Sequence, residues 1–173
     1  MARAGVEDGV AVAREGERGT ERGARIGDLV DLAVGHGRPG ALDERRTTSG
    51  RVIMVFGADG DRDTTKRAEM GAIAARGADV VVITDFHPRF EDPAAIRAAL
   101  IAGAREAVPD REIHEIADPR EAFRAALSLA GEGDAILYAG PGHEDYHEVK
   151  GVKIPYSARD DARSALREAG WLA

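Results

Sequence analysis

The sequence predicts an α/β fold, a mostly parallel sheet with helices on both faces. Three observations predict it. Apolar runs of strand length recur as "RVIMVFG" at 51–57, "DVVVIT" at 79–84 and "DAILYAG" at 134–140. Such unbroken runs suit strands buried on both faces. Helical stretches alternate with them, and that alternation is the mark of a parallel sheet. Two of those stretches open with Asp-Pro, a strong helix start.

Taken in order, 51–57 is a buried strand ending in glycine. "TTKRAEMGAIAARG" at 64–77 is a helix with Asp63 or Thr64 as N-cap and Gly77 at its end. The run 79–84 is the second buried strand. "DPAAIRAALIAGARE" at 92–106 is a helix capped by Asp92 with Pro93 in its first turn. "EIHEI" at 112–116 is a short alternating strand. "DPREAFRAALSLA" repeats the Asp-Pro start at Asp118, 134–140 is the third buried strand, and "SARDDARSALREAG" is a helix capped by Ser157.

Residues 1–50 read differently. They hold no aromatic residue and are rich in glycine and arginine. They are expected to form a poorly ordered or non-native extension, of the kind a displaced reading frame in GC-rich DNA would produce. At most one short amphipathic helix is expected, over 26–34. Residues 51–173 are the folded domain.

Composition excludes several functions. The net charge of −7 argues against nucleic-acid binding through a basic face. The absence of cysteine removes disulfides, thiolate metal sites and a thiol nucleophile. No apolar run is long enough for a membrane span, and the N-terminus lacks the apolar core of a signal peptide. The chain reads as cytoplasmic, with no nucleic-acid or membrane partner.

In a parallel sheet, ligands sit at the carboxyl ends of the strands. Three loops fall there. "GADGDRDTTKR" (57–67) is compatible with a capped, solvated turn or with anion binding at a helix start. It is not a P-loop, and Thr64 and Met70 stand where a calcium loop needs glycine and glutamate. In "TDFHPRFEDP" (84–93), Pro88 holds His87 extended and fixes the direction of Arg89. Arg89 either grips a carboxylate or pairs locally with Glu91 or Asp92. "AGPGHEDYHEVKG" (139–151) gives a ligand close approach at Gly140 and an acceptor in Glu144. His143 and His147 would suit a metal only on a helix, which the glycines and Pro141 oppose. No metal site is expected.

Together these loops resemble, in order and spacing, the C-terminal domain of the Mur ligases, closest to the MurE branch, the UDP-N-acetylmuramoyl-tripeptide synthetases. The family forms are G-G-D-R-D-x-x-K-R, D-N-P-R-x-E-D-P and G-K-G-H-E-x-Y, and the likeness covers about 51–170. The resemblance implies a Rossmann-like domain that binds the incoming amino acid. In the family, ATP phosphorylates the terminal carboxyl of the precursor, and the amine attacks the acyl phosphate. It further implies that Arg67, His87, Arg89, Gly140 and Glu144 bind the amino acid, with Arg89 on a carboxylate and Glu144 on an ammonium. Asp61 and Arg62 would face the nucleotide. No catalytic residue is carried over.

The departures also carry expectations. Phe86-His87 replaces Asp-Asn, giving a bulkier, more apolar pocket rim, and Pro141 replaces lysine. The amino acid is then expected to be one other than meso-diaminopimelate, such as lysine, ornithine, diaminobutyrate or homoserine, although Arg89 keeps diaminopimelate open. ATP and Mg2+ would be bound mainly by family domains this sequence lacks. The expected partners are an amino acid, UDP-MurNAc-dipeptide and those missing domains as a separate chain. The alternative is a stand-alone amino-acid-binding or regulatory module without catalysis.

Overall fold

The computed structural model describes residues 9–13, as backbone, together with 50–139 and 144–171. Among these, β2 (Val52–Phe56), β3 (Val80–Ile83), β4 (Glu112–Glu115) and β5 (Ala135–Ala139) form parallel pairs. A further strand, β1 (Gly9–Ala13), pairs antiparallel with β5. The sheet order is β1-β5-β2-β3-β4. This is the mostly parallel α/β architecture the apolar runs predict.

Alternation along the three central strands divides the core. Ile53, Val55, Val80, Val82, Ile136 and Tyr138 point to one face. There they pack on Phe123 of α3 (Pro119–Leu129) and Leu166 of α4 (Ala158–Glu168). Val52, Phe56, Val81, Ile83 and Leu137 point to the other. They meet Ala74 of α1 (Lys66–Gly77) and Ile96 and Leu100 of α2 (Pro93–Ala107). Burial on both faces explains why these strands are unbroken apolar runs.

The helix starts follow the sequence signals with one correction. Asp92 accepts from Ala94 N–H at 3.0 Å, Asp118 from Arg120 N–H at 2.7 Å, and Ser157 from Asp160 N–H at 3.2 Å. The first helix is capped at Thr65, not at Asp63 or Thr64, and has no side-chain cap. Asp63 instead accepts from the Thr65 amide at 3.0 Å and the Thr65 hydroxyl at 2.5 Å, which tightens the turn before the helix.

Two elements went unread in the sequence. One is β1, within the stretch expected to be unstructured. The other is a hairpin, β6 (Tyr146–Val149) with β7 (Val152–Pro155), inside and just after the third loop. Its two-residue turn is Lys150-Gly151, with φ of 50° and 76°. Positive φ at both central residues is what a two-residue hairpin turn needs. The helix expected over 26–34 lies outside the described residues.

Candidate functional site

The three loops at the carboxyl ends of β2, β3 and β5 converge, joined by hydrogen bonds. The first two meet through the backbone, where Gly60 N–H donates to the His87 carbonyl at 2.7 Å. Gly60 fits because a Cβ there would overlap the Pro88 carbonyl. The second and third meet at β6. Arg89 N–H donates to the Glu148 carbonyl at 3.0 Å, and Lys150 N–H donates to the Arg89 carbonyl at 2.6 Å.

Arg89 is the centre of this junction. Its φ of 50° is left-handed, a strained setting for a non-glycine residue. The ladder contacts with β6 hold it there. Its guanidinium donates to the Gly60 carbonyl at 2.7 Å and to Asp59 Oδ2 at 3.2 Å, and lies 3.5 Å from Glu148. The local pairing with Glu91 or Asp92 weighed from the sequence is not formed. Arg89 pairs with residues brought by the other two loops.

Glu91 goes instead to Arg67. The two exchange a pair of 2.8 Å hydrogen bonds, and Arg67 also donates to the Asp59 carbonyl at 3.1 Å. Arg67 is only 5% exposed. It supports the loops from beneath, and an incoming carboxylate would have to displace Glu91 to reach it. Hydrogen bonds from Arg67 and from Asp61 N–H hold the Glu91 carboxyl down at about 2. Asp61 has a φ of 51°, and its carboxylate faces the Phe90 amide at 3.4 Å. Arg62 is an exposed cation of this loop, at 68%, with Asp59 4.0 Å away.

His87 and Phe86 are not at a pocket rim. His87 is 1% exposed and Phe86 8%. The rim expected from these two replacements is corrected on that ground: both rings turn inward onto the aromatic hairpin. The His87 ring lies 4.5 Å from Phe86, 5.5 Å from Tyr146 and 5.6 Å from His147. Glu144 Oε2 stands 2.7 Å from His87 Nε2, and Glu144 Oε1 accepts from the Tyr146 hydroxyl at 3.1 Å. Burial pushes the His147 imidazole down to about 4. Below it the Tyr138 and Tyr156 hydroxyls share a 2.8 Å hydrogen bond.

The structure thus brings Asp61, Arg62, Arg67, His87, Arg89 and Glu144 onto one set of joined loops. Gly140 lies outside the described residues, as does His143. Glu91 and Glu148 were missed as site residues. Glu91 stands near Arg89 in the sequence but pairs with Arg67, and Glu148 has no arginine near it in the sequence, so spacing does not say which pairs form. The sequence has no G-x-x-x-x-G-K-[ST] stretch, and no cluster among the described residues could hold a metal ion. No helix among them is long and apolar enough to cross a membrane.

Comparison with known proteins shows the family. The family described as "Mur ligase, glutamate ligase domain" matches residues 40–142. A UDP-N-acetylmuramyl-tripeptide synthetase of Leifsonia xyli subsp. xyli is 71% identical over 151 residues, covering 84% of this chain and 29% of that protein. A UDP-N-acetylmuramoyl-L-alanyl-D-glutamate--2,6-diaminopimelate ligase of Chelativorans sp. is 48% identical, over 86% of this chain and 30% of that protein. A solved structure of a ligase with that same name superposes with a TM-score of 0.64 at 34% identity, covering 76% of this chain and 28% of that one. The chain therefore spans under a third of the length of these relatives. A match over 84% of the chain is more than 51–173 supplies, so the likeness reaches into the first fifty residues.

Proposed function

This chain belongs to the Mur ligase family, as its C-terminal, glutamate-ligase domain, and on that premise we propose that it holds the incoming amino acid for an ATP-dependent ligation in peptidoglycan synthesis. The acceptor would be UDP-MurNAc-dipeptide and the bond formed an amide. The convergence of the three loops on Arg89 carries the reading. The guanidinium is held by Gly60, Asp59 and Glu148, and a ligand carboxylate would bind it by exchanging with the Asp59 or Glu148 contact. Glu144, in contact with His87 and 36% exposed at its side chain, suits a ligand ammonium, and the glycine at position 140 carries no side chain to block a ligand.

Arg67 contributes by holding Glu91 and the 59–61 backbone in place. Asp61 and Arg62 form the outer tip, the part available to a nucleotide. ATP and Mg2+ are proposed to be held mainly by residues outside this chain, in the long part of the relatives that it does not span, and no chemical step is assigned to its own side chains. The amino acid is proposed to be a diamino acid. Diaminopimelate, named in several relatives, is the reference against which lysine, ornithine, diaminobutyrate and homoserine are compared.

The test is a titration of the 15N-labelled chain with each amino acid, followed by amide shifts. Saturable shifts gathered at Arg89, Gly140 and Glu144 are expected for one of them. Shifts scattered over the surface, or centred on α3 and α4, would refute the site.

A further inference from the structure

Each ring nitrogen of the buried His87 faces a neighbour, Nδ1 through a hydrogen bond and Nε2 through a close contact. Nδ1 accepts the Glu148 amide at 3.0 Å. That uses the Nδ1 lone pair, so a neutral ring carries its proton on Nε2. Nε2 sits 2.7 Å from Glu144 Oε2, although the oxygen lies off the line of the ring N–H. An oxygen so close is attracted only by a protonated nitrogen, since two lone pairs would repel. The ring itself cannot swing away. Phe86, Tyr146 and His147 surround it, and its own carbonyl is fixed by Gly60. Glu144 is the movable partner, with a side chain 36% exposed against 2% for His87.

We infer that His87 is a positioning residue. Through Nδ1 it docks the β6 backbone, and through its Nε2 contact it keeps the Glu144 carboxylate in place to meet a ligand ammonium. The ligand class is an amino acid with a cationic side chain. This rests on the amino-acid reading above. It assigns His87 a role beneath the site, where it does not touch the ligand. Two substitutions separate its nitrogens. An asparagine can offer an acceptor where Nδ1 stands, and a glutamine a donor where Nε2–H stands.

The first test needs no ligand. Imidazole 15N spectra of the full chain should show His87 protonated on Nε2 and bare on Nδ1, with the Nε2 signal moving in Glu144→Gln. A proton on Nδ1, or no response to Glu144→Gln, overturns the inference. The second compares affinity for a diamino acid with that for its analogue carrying a methyl in place of the distal amine. His87→Asn should weaken the diamino acid by about tenfold, the worth of one charge-assisted hydrogen bond, and leave the neutral analogue unchanged. His87→Gln should restore most of the loss. Equal weakening of both ligands would make His87 merely structural and refute the role. If Glu144→Gln itself leaves the preference for the diamino acid intact, the ammonium reading falls, while the spectra still judge the His87–Glu144 contact.

Discussion

Arg67 and Glu91 exchange two hydrogen bonds of 2.8 Å, and the same carboxylate takes the Asp61 amide at 2.5 Å. Removing the carboxylate strands a buried guanidinium and frees a loop amide together. Glu91→Ala should therefore lower the urea midpoint more than Asp63→Ala, whose partners are exposed. His147 offers a second check at this scale. Its pKa is pushed from 6.5 down to about 4, so the unfolded chain binds the proton first. Its contribution to stability is complete above pH 6.5 and is lost as the pH falls to about 4. Glu91, held at about 2 against an ordinary 4.5, loses its contribution lower, between those values. In urea midpoints measured against pH, His147→Phe should flatten the upper window and leave the lower fall intact. An unchanged upper slope would contradict the burial of a neutral ring. None of these pairings was legible in the sequence. Arg67 and Glu91 are 24 residues apart, and His87 reaches Glu144 only because β3 and β5 end at the same edge of the sheet.

At the scale of elements, α1 and α2 approach so closely that a Cβ at Gly71 would overlap the Leu100 carbonyl, and one at Gly103 the Ala68 carbonyl. Gly71→Ala should thus destabilise by roughly 1–3 kcal/mol through overpacking, despite the better helix propensity of alanine. A stabilised variant in thermal unfolding would refute the contact. Asp118→Ala should cost about 1 kcal/mol, because that carboxylate accepts from two amides of the first turn of α3. The Asp-Pro helix starts were readable because a cap and a proline act locally, whatever surrounds them. The hairpin was less readable. All of β6 is half-buried and all of β7 exposed, so neither shows the alternation of a strand. Its one local signal was Lys150-Gly151.

Across the whole molecule, the fold was legible because the three central strands bury both faces and so carry no charged residue. The edge strand β1 was not. A strand of five residues in glycine-rich text shows itself only through its partner, β5. The site was legible as three loops and a family likeness. The division of labour among its arginines was not, since burial decides it: Arg67 supports, Arg89 joins the loops, and Arg62 stands exposed. The central claim is that this domain binds an amino acid through the fork of Arg89. Calorimetric titration of the chain with diamino acids, in parallel with Arg89→Lys, tests it most directly. Lysine keeps the charge and loses the fork. The account predicts saturable binding of one diamino acid to the native chain and at least about tenfold weaker binding to the variant. Equal affinity in both, or no binding of any amino acid to the native chain, would contradict it.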